Sequence, residues 1–142
     1  MEEQQKKSVL FISIHNAVRS QIAEGLLKHF RGDRFEAFSA GVEPTDIDPI
    51  VVQIMKEIEI DVINYRSKPL EYFNAKTFDY VISICASASE DRPTYPHAVT
   101  QLSWDFPDPS KIKGTEQEIL DEYRIVRDGI LQKIRDDLLS TI

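Results

Sequence analysis

The hydrophobic positions of this chain alternate between two rhythms. Val9-Leu10-Phe11-Ile12 is a short unbroken apolar run, the pattern of a strand buried on both faces. From Ala17 to Phe30 the spacing lengthens to that of a helix, with Ile22, Ala23, Leu26, Leu27 and Phe30 on one face. Arg34 to Ser39 reads as a second strand closed by Ala40-Gly41. Asp48-Pro49 predicts a helix start, with a carboxylate cap and proline at the first helical position, continued by Ile50, Val51, Ile54, Met55 and Ile58. Tyr80 to Ile84 is a third strand ending at Cys85, residues 86–98 read as a loop, and Val99 to Leu102 as a short fourth strand. Thr115-Glu116-Gln117-Glu118 fits a capping box, and the apolar stripe from Ile119 to Leu138 predicts a long amphipathic helix. The first seven residues are polar and expected to be loose.

Strands alternating with helices predict an α/β fold, an open parallel four-stranded sheet with helices on both faces. Ligands bind at the carboxyl ends of strands in such sheets. That rule singles out residues 13–20, 85–98 and 104–110. At 142 residues the chain fits one domain.

Composition narrows the partners. The net charge of −7 argues against nucleic acid, whose binding rests on neutralised phosphates, and against an anionic membrane surface. No apolar run approaches the roughly 18 residues of a membrane span, and the N-terminus lacks a signal-peptide core. Cys85 is the only cysteine, which excludes an internal disulfide and a multi-cysteine zinc site. His15, His29 and His97 lack metal-ligand spacing, so no metal and no cofactor is expected. A cytoplasmic location is expected.

Between the first strand and helix lies Ser13-Ile14-His15-Asn16-Ala17-Val18-Arg19-Ser20. Such a turn points backbone N–H groups into a concavity at a helix N-terminus, which favours an anion. Arg19 adds a two-pronged guanidinium, and Asn16 tolerates the left-handed backbone a tight curl needs. The same segment is also compatible with an ordinary strand–helix connection and a solvated Arg19.

This run resembles the signature loop of low-molecular-weight tyrosine phosphatases and of the thioredoxin-coupled arsenate reductases that share their fold: Cys, five residues, Arg, then Ser or Thr. Asn16 to Gly25, Ser39 to Thr45 and Trp104 to Pro109 are similar to the reductases in the same order. The resemblance implies the flavodoxin-like three-layer sandwich of that family, with oxyanion contacts from residues 14 to 19 (Ile14, His15, Asn16, Ala17, Val18 and Arg19). It implies that Ser20 supports the nucleophile, that Asp108 is a general acid, and that Cys85 attacks the first thiol in a relay. The implied partners are arsenate, phosphate or sulfate and a thiol reductant: thioredoxin, glutaredoxin or a low-molecular-weight thiol.

The departures are as informative. The family's nucleophilic cysteine falls on Ser13, whose hydroxyl ionises far less readily than a thiol. Serine there is either an introduced substitution or the natural residue of an inactive relative; codon 13 of the gene separates the two. The resolving cysteine of the reductases falls on Arg92, followed by Pro93. Ser110-Lys111 stands where the phosphatases carry two tyrosines, which weakens that reading. Cys85 is also compatible with a buried structural thiol, and its downstream arginine is one position too far for it to be the phosphatase nucleophile. Some reductases hold potassium with residues matching Asn16, Glu24, Ser39 and an aspartate that is Lys68 here. No potassium site is therefore expected, with the Lys68 ammonium either holding Glu24 or simply solvated. Arg66-Ser67-Lys68 and the acidic C-terminal helix read as solvated faces. Three activities follow: an arsenate reductase-like protein inactive as written, a low-molecular-weight phosphatase, or an oxyanion- or phosphoprotein-binding pseudoenzyme.

Overall fold

The computed structural model describes residues 5–139. Four strands, β1 (Lys7–Ser13), β2 (Phe35–Gly41), β3 (Phe78–Cys85) and β4 (Ala98–Asp105), form one parallel sheet in the order β2-β1-β3-β4. Three α-helices intervene or follow: α1 (Arg19–Arg31), α2 (Pro49–Lys56) and α3 (Glu116–Ile134). The chain moves from β1 to β2 on one side and then to β3 on the other. The crevice between the carboxyl ends of β1 and β3 is thus the topological switch point, and Ser13 and Cys85 stand on its two sides.

The unbroken apolar run of β1 serves two cores because successive side chains point to opposite faces. Val9 and Phe11 pack with the apolar faces of α1, α2 and α3. Leu10 and Ile12 pack with Phe78, Val81 and Tyr95 under a 3₁₀ turn, Leu70–Phe73. One layer is therefore α-helical, and the other is a 3₁₀ turn with loop residues. No helix among the described residues is long and apolar enough to cross a membrane.

Element ends follow their caps. Asp48 accepts from the Ile50 amide at 2.9 Å with Pro49 at the first position of α2, and Thr115 and Glu118 close the capping box of α3. Some expectations shift. Met1 to Gln4 lie outside the described residues, and Lys7, expected to be loose, belongs to β1. Helix α1 starts at Arg19, not Ala17, because the Ala17 carbonyl is taken by the Asp48 amide at 3.2 Å instead of a helical donor. Phe30 is not on the buried face but 42% exposed, in the last turn of α1. Strand β4 runs longer than Val99–Leu102, and the last helix changes to a π turn at Arg135–Leu139.

Gly41 closes β2 where the loop after β1 comes close. A Cβ there would lie 2.8 Å from both the Asn16 nitrogen and the Ile14 oxygen. Because both are backbone atoms, Gly41→Ala should cost about 1–3 kcal/mol, read by denaturant unfolding, with the largest amide shifts at residues 14–17. A neutral substitution would show that the loop yields freely.

Candidate active site

The shape of loop 13–18 follows from where its carbonyls go. Those of Ser13, Ile14, His15 and Ala17 accept from the amides of Val42, Glu43, Thr45 and Asp48 at 2.8–3.3 Å. The Asn16 carbonyl accepts from Ser67 Oγ at 2.7 Å and Gln21 Nε2 at 2.9 Å. A trans peptide points its C=O and N–H in opposite directions. Pinning these carbonyls outward therefore turns the following amides inward. The amides of Ile14, His15, Ala17 and Val18, and those of Arg19 and Ser20 in the first turn of α1, reach no protein acceptor among the described residues. The Asn16 amide donates to Ser13 Oγ at 3.2 Å. Asn16 makes the curl possible with φ of 52°, and its Oδ1 accepts from the Lys68 amide at 2.9 Å.

Ser13 ends β1 with 2% of its surface exposed, and its Oγ lies 2.6 Å from Ser20 Oγ. Asn16 Nδ2 donates to Ser20 Oγ at 2.8 Å, so Ser20 can pass its own proton toward Ser13. Ser13 lines a cleft of about 560 Å³ whose other walls are residues 15–19, segment 45–49 and Asp108 with Ser110, and Ser20 lies fully buried behind it.

Arg19 is buried, 3% exposed, and its contacts decide which of its donors remain. Nη1 donates to Glu90 Oε1 at 2.5 Å and to the Phe106 carbonyl at 3.0 Å, and Nη2 donates to Glu90 Oε2 at 2.9 Å. Glu90 thus fills the end-on fork of the guanidinium. The side-on fork, Nε with the second Nη2 proton, has no hydrogen-bond acceptor among the described residues. Asp108 Oδ2 stands 3.9 Å from Nη2, while its Oδ1 is held by the Ser110 amide and hydroxyl. The Arg19 hydrogen bonds, and then the Ala86 amide on Glu90 Oε1, hold the Glu90 carboxyl down to about 2.

Cys85 ends β3 fully buried, in register with Asp105 of β4. The segment after it is stapled: Arg92 donates to the carbonyls of Ser83 (2.6 Å) and Trp104 (3.3 Å) and to Ser87 Oγ (2.7 Å). Arg92, which the resemblance aligns with the reductases' resolving cysteine, therefore ties this loop to β3 and β4.

Two expectations around Glu24 need correction. Its Oε2 is held by Lys28 at 2.8 Å, one turn along α1, and its Oε1 by Ser39 Oγ at 2.6 Å. Lys68 sends its ammonium instead to the Arg66 carbonyl at 2.7 Å. Segment 66–68 is not simply a solvated face, because Ser67 and Lys68 are half-buried and grip Asn16. His15 bonds the Glu43 carbonyl through Nδ1 at 3.0 Å. No cluster of three or more metal-ligating side chains occurs among the described residues.

Sequence reasoning missed Glu90, Gln21 and the Tyr123–Asp48 contact. Tyr123 donates to Asp48 Oδ2 at 2.5 Å, and burial with that bond pushes its hydroxyl pKa well up. Glu90 lies 71 residues from Arg19, in a polar run with no periodic signal.

Glu90 gives a pH prediction. A carboxyl held below its ordinary value contributes stability above about pH 4.5 and loses it as pH falls toward 2. Chemical unfolding of the native chain and Glu90→Gln should differ at pH 7 and converge between about pH 5 and 2; a constant gap would refute the ion pair. Native Cys85 should react slowly with a thiol reagent such as DTNB, and Arg92→Ala should speed it at least about tenfold by freeing the loop. Equal rates would show that the staple does not guard the thiol.

Comparison with known proteins agrees with this architecture. The family model for low molecular weight phosphotyrosine protein phosphatases matches residues 8–141. An arsenate reductase of Oceanobacillus iheyensis is 34% identical over 130 residues, covering 92% of this chain and 94% of that protein. A solved arsenate reductase in a phosphate-binding state is 30% identical, with a TM-score of 0.77 over 92% of this chain and 95% of that one. A thioredoxin-dependent arsenate reductase of Corynebacterium glutamicum is 33% identical, with a TM-score of 0.67 over 96% of this chain and 64% of that one. With the parallel sheet, the curled loop at its switch point and a match along nearly the whole length, the chain belongs to the low molecular weight phosphotyrosine protein phosphatase family.

Proposed function

We propose that this protein is an arsenate reductase-like member of its family that seats a tetrahedral oxyanion (arsenate, phosphate or sulfate) in loop 13–20 and, with Ser13, does not turn it over. The observation that carries the reading is the outward pinning of the loop carbonyls, which turns consecutive amides toward one concavity. The side-on fork of Arg19 and the first turn of α1 add fixed positive charge there. Glu90 orients Arg19 while cancelling part of its charge, so anion affinity leans on the amides.

Chemistry needs a nucleophile at position 13. The Ser13 hydroxyl has Ser20 and the Asn16 amide around it, and neither is a base. In Ser13→Cys the same donors would stabilise a thiolate. That sulfur attacks arsenic and a hydroxyl leaves as water, protonated by Asp108. The Cys85 thiolate then attacks the position-13 sulfur. A disulfide forms, the electron pair of the S–As bond passes to arsenic, and arsenite departs. An external thiol, from thioredoxin, glutaredoxin or a small thiol, must reduce the disulfide, because Arg92 cannot.

A phosphatase reading is favoured by one observation: Cys85 is fully enclosed, and phosphate ester cleavage needs only the loop, Arg19 and Asp108. A phosphoprotein- or oxyanion-binding pseudoenzyme is the reading that Ser13 favours if it is natural.

Calorimetry with phosphate and arsenate should show binding to the native chain, weakened at least about tenfold in Arg19→Ala. Ser13→Cys with a thiol donor should reduce arsenate, and adding Cys85→Ser should abolish that. If the double variant still cleaves an aryl phosphate while neither variant reduces arsenate, the phosphatase reading replaces the reductase one. Absence of anion binding together with absence of both activities would overturn the proposal.

A further inference from the structure

A second cleft, of about 330 Å³, shares no lining residue with the first. Its walls include Lys28, Arg66 and Lys68 together with Tyr65, Tyr72 and Phe73. On a chain of net charge −7, this concentration of positive charge is a local reversal. Glu24 is the carboxylate that lines it, and both its oxygens are committed to Ser39 and Lys28. The Arg66 guanidinium has no acceptor among the described residues. Lys68, half-buried, spends one donor on the Arg66 carbonyl. Burial and the neighbouring Lys28 charge pull the Lys68 ammonium below its usual value, against the attraction of Glu24. Lys28 is thus paired with Glu24, whereas Arg66 and Lys68 have no carboxylate of their own among the described residues, and an incoming anion would supply one.

The aromatic walls select the rest of the ligand. Tyr72, 65% exposed, lines the cleft beside Phe73 with ring centroids 5.1 Å apart, and the Tyr65 ring already carries the Lys28 ammonium 4.9 Å from its centroid. A flat ring can stack on such walls while its charged group meets Arg66 and Lys68.

We propose that this cleft binds a small planar aromatic anion, a ring bearing a phosphate or carboxylate, and that its occupancy tightens loop 13–20 through segment 66–68. The route is short. The Lys68 amide and Ser67 Oγ hold Asn16 at 2.9 and 2.7 Å, and Gln21 Nε2 bridges the carbonyls of Arg66 (3.0 Å) and Asn16 (2.9 Å). A ligand that steadies Arg66 and Lys68 steadies the left-handed residue on which the loop turns. The coupling rests on the oxyanion reading of that loop, and it is reciprocal.

The test is an amide NMR titration of the full chain with AMP and with 4-hydroxybenzoate, using adenosine and inorganic phosphate as controls. At least one ring-bearing anion should shift Arg66, Lys68 and Tyr72 saturably. Arg66→Glu and Tyr72→Ala, both at exposed side chains, should each weaken this at least about tenfold with unchanged circular dichroism. Saturating ring anion should tighten phosphate at loop 13–20 about fivefold or more. Shifts confined to residues 13–20, or indifferent to Arg66→Glu, would overturn the cleft. If phosphate fails to bind the loop while Arg66, Lys68 and Tyr72 still respond, the oxyanion reading falls and the cleft stands.

Discussion

Five consecutive carbonyls, from Ser13 to Ala17, are held away from the loop's interior, and the rest of the site depends on that. A peptide plane cannot hide its oxygen without presenting the next N–H on the other side. The amides of segment 42–48 and the side chains of Ser67 and Gln21 therefore shape the concavity from outside. This explains why Gly41 must lack a Cβ: the outer segment and the loop meet backbone to backbone at that residue. It also explains the uncapped start of α1, whose first amides are oriented toward the same concavity.

Charge in the site is arranged around one guanidinium. Glu90 takes the end-on fork of Arg19, and the Phe106 carbonyl takes another proton, so rotation of the fork would break three part-buried hydrogen bonds at once. An orphaned Glu90 or Arg19 charge at such burial would cost several kcal/mol, so the pair holds one geometry. The loop carrying Glu90 is fixed in turn by Arg92 and by the Ala86 amide. The segment after β3 is here the support of the arginine. Loop 13–18 with Arg19 and the region around Cys85 are thereby mechanically linked.

Much of this was legible one residue at a time. The apolar run of β1, the Asp48-Pro49 start, the Thr115–Glu118 box and the Cys85 strand end all rest on local rules, and all stand in the fold. The loop at Ser13 to Ser20 was found by its place between a strand and a helix. Glu90 was not legible, because a carboxylate in a polar loop has no spacing relation to an arginine across the sheet. The partner of Glu24 went to Lys28 over Lys68 for a similar reason: an i,i+4 neighbour on the same helix is reached without loop ordering, and Lys68 turned to a carbonyl in its own segment.

The sequence by itself determined the alternation of strands and helices, the switch-point loop and the identities of Ser13, Arg19, Cys85 and Asp108, because periodicity, caps and residue chemistry act over a few positions. Only the tertiary structure decided which fork of Arg19 is spent, which oxygens of the loop are pinned, and that Arg92 staples the segment after Cys85. Those outcomes depend on groups tens of residues apart meeting across the sheet, and the chain carries no local record of such meetings.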